Sequence, residues 1–513
     1  MNLANSLIQS ANSWPDKVAI YHGDTPYLSW RDLEYRAAKV AAAMQALGVT
    51  QGDCVGLAMT NCPQFVEILY ACWRLGAIAV PMNAKGHALD FQYMLEHSGA
   101  PLCFVTPDLE PTLGKAIVDM RSTVKLLPVN SAILAGLIQD ADEKSLPTIP
   151  QDDALPAWLF YTSGTTGLPK GATLSHRNLL AMAASYFSDV DDVEPQDNLV
   201  HAAPMSHGSG LYIIPHVMKG ASQVVPVSGK FKEDELPGLI DHFQHCTIFA
   251  APTMLQRLLA NPEIGGLPGL KTLVLGGGPL YVRDCISALE KFGPKLAQIY
   301  GQGETPMTIT AMNKQQMYEA YENNDLDFLG SVGRPFSTVD VAVVDTDGNT
   351  LQPGEMGEIV VRGDTVMSGY WNNESATAEA VRNGWLYTGD VGCFDTDNVL
   401  TLKDRSKDLI ISGGTNIYPR EVEEVLIQHP AVKEACVLGL PDELWGESVV
   451  AALVPQPGSE IDTADIDRFC IENLARFKRP KYYLVVDDLP KTATGKVLKS
   501  NVQALLPEKP AGA

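Results

Sequence analysis

Residues 161–171, YTSGTTGLPKG, crowd glycines, hydroxyls and one lysine behind the apolar run AWLF at 157–160. Gly164 and Gly167 let backbone N–H groups turn toward anionic oxygens. The hydroxyls of Thr162, Ser163, Thr165 and Thr166 add donors, and Lys170 adds charge. The chemistry this suits is phosphate binding. A polar surface turn is the competing reading, but turns rarely hold so dense a set of donors with a lysine. The Walker pattern GxxxxGK[ST] does not fit, because Pro169 stands where its second glycine belongs. Four further segments carry reactive types: YGQGETP (300–306) with Glu304, YTGD (387–390) with Asp390, DRSKDLIISGG (404–414) with Arg405, and PKTATGK (490–496) with Lys496. Singly each reads as a solvated turn. Their order and spacing together carry the argument.

The elements that must position these groups read as alternating strands and helices. SWRDLEYRAAKVAAAMQALG (29–48) places Leu33, Ala37, Val40, Met44 and Leu47 on one helical face; Ser29 and Asp32 resemble a capping box, and Gly48 is a stop. CVGLAM (54–59), a helix and AIAVP follow, a βαβ pattern that implies a parallel sheet. CTIFAAP, a helix and KTLVLGGG repeat it near 246–278. Around 340 the pattern changes to alternating strands with a DG turn, which predicts hairpins or a small barrel. Helices are expected at 419–428 and 463–475, and a domain boundary is expected near Ser406 and Lys407.

With 513 residues the chain is too long for one ordinary core. Its net charge of −23 opposes binding to nucleic acid or anionic lipid, so an anionic substrate needs local positive groups. The nine cysteines form no CxxC pair, which suits reduced thiols in a cytoplasmic protein and speaks against a disulfide framework or zinc site. The start, MNLANSLIQSANSWPDK, has no basic region before an apolar core, so no signal peptide is expected. No apolar run approaches the roughly 20 residues of a membrane span.

Taken together, the five motifs resemble those of the acyl-adenylate-forming superfamily, which includes acyl-CoA synthetases, peptide-synthetase adenylation domains and firefly luciferase. The resemblance covers nearly the whole chain. It implies an α/β fold: a large N-terminal domain of two αβ subdomains plus a small β-barrel, over 1–406, and a small mobile α+β domain over 407–513. It implies ATP, Mg²⁺ and coenzyme A as reaction partners, with a carboxylic acid that is first adenylated and then passed to a thiol. By resemblance, residues 162–170 hold the β- and γ-phosphates. Glu304, joined by Thr162, holds Mg²⁺. Gly276 to Pro279, with Gly277 and Gly278, and Tyr300 with Gly301, Gln302 and Gly303 surround the nucleotide. Asp390 and Arg405 match the positions that contact the ribose. Lys496 matches the lysine that bridges the carboxylate and the α-phosphate, Lys407 the hinge, and Ser412, Gly413 and Gly414 the thiol channel. The sequence departs from the pattern at Gly303, where many relatives carry Thr. Gln302 or a water is expected to compensate.

The same resemblance bears on the substrates. PMSHGSGL lacks the carboxylate that peptide-synthetase domains use for an α-ammonium, and Gln298 to Tyr300 lacks the arginine of malonate-type ligases. The acid is therefore expected to be an apolar monocarboxylic acid, fatty or aromatic. His207 is expected to gate its pocket, with Met205, Tyr212, Gly276, Gly278, Gly301, Met307 and Thr308 as walls, the glycines leaving room for a ring or chain. The basic run 476–481 resembles that of chlorobenzoate-type CoA ligases, which implies CoA contacts at Phe477 and Arg479 with Trp445 as a second aromatic. An adenylating enzyme that loads a carrier protein is the alternative, and a non-catalytic nucleotide sensor a third. No nucleic-acid partner and no integral membrane association are expected; a homodimer is left open.

Overall fold

The computed structural model describes residues 1–119 (116–119 by backbone only), 124–141, 148, 150, 152–162, 168–405, 408–442, 445–492 and 496–506. The helix Trp30–Ala46 begins at the expected capping box: Asp32 N–H donates to Ser29 Oγ at 3.1 Å and Ser29 N–H to the Asp32 carboxylate. Helix Gln64–Leu75 stops at Gly76, whose φ of +83° lies in the left-handed region that an L side chain resists. The strands on either side, Cys54–Ala58 and Ile78–Met82, are buried at every position. Strands covered on both faces read as unbroken apolar runs, and these two pair in parallel.

Among the described residues four sheets form. In the nine-stranded sheet, Asn198–Val200, Cys246–Ala250, Leu270–Leu275 and Leu296–Tyr300 run parallel at the centre, and antiparallel strands close both edges. The six-stranded sheet ends with Pro156–Thr162 and its antiparallel neighbour Lys170–Ser175. A five-stranded antiparallel sheet contains the expected hairpin, Val339–Val344 against Gly357–Gly363, and then Trp385–Phe394 against Leu400–Arg405. The fourth sheet opens at Ile410–Ser412 and packs helices Pro419–Gln428 and Thr463–Asn473. Lys407 lies outside the described residues.

The unit built on the fourth sheet docks through polar contacts on helix Val282–Phe292 and the residues before it. Arg283 donates to the carbonyls of Ile427, at the end of helix Pro419–Gln428, and Val432, the first residue of the strand Val432–Asp442. Arg420 donates to Leu280 O, Tyr281 Oη to Glu423, and Lys499 to Asp404. No described helix is long and apolar enough to cross a membrane.

Burial leaves a pH signature. His176, His201 and His216 are fully covered, and desolvation lowers their pKa from 6.5 to about 4, 3 and 4. The unfolded chain therefore binds protons that the native chain refuses, and stability falls as pH drops from about 6.5 toward 4. Glu423, pushed up to about 6 by burial, acts with the opposite sign. Urea midpoints are expected to fall between pH 7 and pH 5, and a His201→Gln variant is expected to lose part of that dependence. An unchanged slope in the variant would remove His201 from the account.

Candidate active site

Parallel α/β sheets bind ligands beyond the carboxyl ends of their strands. At those ends of the nine-stranded sheet lie Gly276 to Pro279, after Leu270–Leu275, and Gly301 to Glu304, after Leu296–Tyr300. Gly277, Gly278 and Pro279 are exposed, as a nucleotide wall requires. The hairpin of the six-stranded sheet sets Thr162 opposite Lys170. Of the loop between them, Ser163, Gly164, Thr165, Thr166 and Gly167 lie outside the described residues.

Glu304 is buried, and its Oε1 accepts two hydrogen bonds, from Thr162 Oγ1 at 3.0 Å and from Tyr370 Oη at 2.9 Å. Tyr370 arrives because its segment crosses the strand Lys170–Ser175: Trp371 N–H donates to Gly171 O, and Tyr370 bridges Ala172. The Lys170 ammonium stands 5.2 Å from the centre of the Tyr370 ring. Nothing in the sequence marked Tyr370, since its partners are 66 residues before it at Glu304 and 200 before it at Lys170. Because both bonds end on Oε1, the carboxylate is held in one orientation and Oε2 is the atom left for a cation. An all-oxygen set of one carboxylate and one hydroxyl suits Mg²⁺, which takes most of its remaining ligands from phosphates and water. Among the described residues no cluster of three or more His, Cys, Asp or Glu offers a denser metal site.

Gly303 now has a physical reason. A Cβ there would come within 2.6 Å of Phe160 and Thr162, which fill the space. Gln302 does not compensate beside the phosphates as expected. Its amide donates instead to Thr388 O at 2.8 Å and Asp390 Oδ2 at 2.7 Å. Asp390 is buried and accepts a second hydrogen bond, from the Tyr300 hydroxyl, at 2.7 Å. Across the strand pair, Arg405 sits opposite Asp390 in register, with its Nε 3.2 Å from Oδ1. Burial and this carboxylate hold the Tyr300 hydroxyl well above its usual pKa, so it stays a donor. The motifs at 300–304, 387–390 and 404–405 thus meet in one hydrogen-bonded group.

His207 lies beside them, edge-on to Phe160 at 5.5 Å between ring centres and with Nδ1 2.9 Å from Ser206 Oγ. It faces the cleft, yet the surrounding protein desolvates it enough to lower its pKa to about 4. It is neutral at neutral pH. Met205, Tyr212, Met307 and Thr308 are buried around it. The expectation that glycines leave room is corrected at two positions. A Cβ on Gly276 would meet Ile299 at 2.6 Å, and one on Gly301 would meet the Met307 backbone at 2.2 Å. At Gly278 the nearest neighbour is Pro252 at 3.6 Å, an ordinary contact distance that a Cβ would tolerate.

The other residues sit on the fourth-sheet unit. Ser412 ends a strand, and Gly413 and Gly414 turn the hairpin with φ of +58° and +78°. Trp445 O accepts from Gly413 N–H, and its indole covers the loop so closely that a Cβ on Gly413 would lie 2.8 Å from it. Trp445 and Phe477 are both exposed, and no ring contact joins them among the described residues. Arg479 is paired with Asp467 at 2.5 Å. Lys496 is exposed on a hairpin where Thr492 N–H donates to Lys496 O and Lys496 N–H to Thr492 Oγ1.

Comparison with known proteins agrees with this geometry. The family described as AMP-binding enzyme matches residues 7–371, and the AMP-binding enzyme C-terminal domain matches 421–496. The chain is 35% identical over 500 residues to a feruloyl-CoA synthase of Amycolatopsis sp, covering 97% of each. It is 34% identical to a long-chain-fatty-acid–CoA ligase of Bacillus subtilis, covering 97% of this chain and 93% of that one. Among solved structures it resembles ATP-bound MatB from Rhodopseudomonas palustris with a TM-score of 0.89 and 28% identity over 98% of both chains.

Proposed function

Because the chain belongs to the AMP-binding enzyme family and is an acid–thiol ligase, we propose that it activates an apolar monocarboxylic acid with ATP and transfers the acyl group to coenzyme A. The observation that carries this reading is the convergence of Thr162, Lys170, Tyr300, Glu304, Asp390 and Arg405 on one cleft at the strand ends.

In the first half-reaction a carboxylate oxygen attacks the α-phosphorus of ATP and pyrophosphate leaves. Both reactants are anionic, so the barrier is electrostatic and fixed positive charge lowers it. Asp390 and Arg405 hold the ribose, and Tyr300 and Gln302 keep the Asp390 carboxylate from turning. Lys170 and the loop before it neutralise the outer phosphates. Thr162 and Tyr370 orient Glu304, which would hold Mg²⁺; the ion would supply positive charge against the phosphates. Lys496 links the carboxylate to the α-phosphate. In the second half-reaction the thiol sulfur attacks the acyl carbonyl and AMP leaves. The unit from residue 407 onward turns about Lys407 between the two steps, and Ser412 to Gly414 line the thiol's path.

A carrier protein is the second reading for the acceptor. The observation that favours it is the Arg479–Asp467 pair, which already neutralises the charge expected to meet CoA phosphates. The test is a pooled competition of fatty, aryl and phenylpropenoic acids with ATP, Mg²⁺ and CoA, read by mass spectrometry. One dominant acyl-CoA supports the first reading. AMP without thioester moves the acceptor to a carrier protein, and no acid-dependent AMP overturns both.

Tyr370 provides a separate test. Tyr370→Phe removes a charge-assisted hydrogen bond, expected to lower adenylation about tenfold. The half-saturating Mg²⁺ concentration should rise, while AMP binding without metal stays unchanged. An unaltered Mg²⁺ titration would separate Tyr370 from the metal site.

A further inference from the structure

The proposed ligase reading leaves the acid as fatty or aromatic, and the packing beside His207 bears on that choice. Phe249, next to last in the strand Cys246–Ala250, points its ring tip at two glycines. A Cβ on Gly208 would lie 2.5 Å from Phe249 Cε1 and 2.7 Å from Cζ, and one on Gly276 3.3 Å from Cε2. The missing side chains thus seat the ring rather than open a channel. Met307 closes the same wall: its sulfur is 3.0 Å from the Gly208 Cβ position, and its own φ is +68°, a strained conformation for a non-glycine residue. Phe249 and Met307 each retain 8% exposure in a core where most neighbours have none, so this wall borders the cleft.

Behind the wall there is a column of rings. Tyr212 packs edge-on to Phe249 at 5.7 Å, Tyr186 to Tyr212 at 4.7 Å, and His216 against Tyr186 at 5.6 Å. Tyr186 Oη and His216 Nε2 are buried without hydrogen-bond partners, an unfavourable lining for an alkyl chain. His216 Nδ1 donates to Tyr212 O at 2.8 Å, which fixes the ring's tautomer and ties it to the column.

We propose that Phe249, seated between Gly208 and Gly276 and backed by Tyr212, is the specificity-determining end wall of the acid pocket, and that the pocket takes single-ring aromatic acids and excludes long-chain fatty acids. The inference rests on the ligase reading. A flat ring meets aromatic edges at His207 and Phe160 and a thioether at Met307, contacts that favour an aromatic guest. A long chain would have to displace Phe249 and then the column.

The test measures binding of unreactive acyl-sulfamoyl adenosines with benzoyl, phenylpropenoyl, octanoyl and hexadecanoyl groups, by calorimetry, alongside AMP. Wild type is expected to bind the aryl compounds at least about a hundredfold more tightly than the hexadecanoyl compound. Phe249→Ala is expected to reduce that ratio at least about tenfold by admitting the chain. Phe249→Leu, which preserves more of the packing, should fall between the two and covers the case in which the alanine variant fails to fold. Equal or tighter binding of the hexadecanoyl compound by wild type, or an unchanged ratio in both variants, overturns the proposal while AMP binding keeps the nucleotide reading intact. Loss of AMP binding in wild type overturns both.

Discussion

Lys496→Ala is expected to cut acid-dependent pyrophosphate release about a thousandfold while leaving thioester formation from a supplied acyl-adenylate within about threefold. A thousandfold corresponds to about 4 kcal/mol of transition-state stabilisation. That magnitude is reasonable for a fixed cation placed between two anions that must react, because the charge is needed most as they approach. The asymmetry is the sharper part of the expectation. In the proposed reaction the second step expels AMP from a mixed anhydride already formed, and a lysine that has turned away with its domain contributes nothing to it. The substitution is mild for the fold: Lys496 is exposed, and the bonds that close its hairpin come from its backbone to Thr492. Equal loss in both half-reactions would place Lys496 in general support of the site.

Asp390→Ala is expected to weaken AMP binding about a hundredfold and to lower stability by about 2 kcal/mol. The first effect follows from loss of the ribose contact. The second follows from what the carboxylate holds together. Tyr300 Oη and Gln302 Nε2 would lose a buried acceptor, and Arg405 would lose its partner. Arg405 is about a third exposed, so water softens that part of the penalty. Calorimetry with AMP and a urea midpoint measure the two effects separately. Gln302→Ala is a useful comparison, since it removes one prop and leaves the carboxylate; its effect on AMP binding should be well under that of Asp390→Ala. A variant at position 390 that binds AMP as wild type does would remove the ribose role.

The sequence by itself determined features that rest on near neighbours or on pattern. The Ser29–Asp32 capping box is three residues apart, and its hydrogen bonds form within one turn. The parallel strands were legible because burial on both faces demands apolar runs, as in Cys54–Ala58. The motifs at Glu304, Asp390 and Arg405 were legible as types, and their order carried the resemblance. Only the tertiary structure decided what those residues touch. Strand register places Asp390 opposite Arg405, and it brings Tyr370 to Glu304 and Lys170. It also determines what fills the space beside a glycine. Read alone, Gly276 and Gly301 suggest room; in the fold, Ile299 and Phe249 occupy the first and the Met307 backbone the second. Arg479 read as a free cation and is matched by Asp467. The physical reason is common to all of these. Packing density and charge pairing are set by side chains brought together by the sheets, and residues far apart in the chain leave no local signal of such contacts.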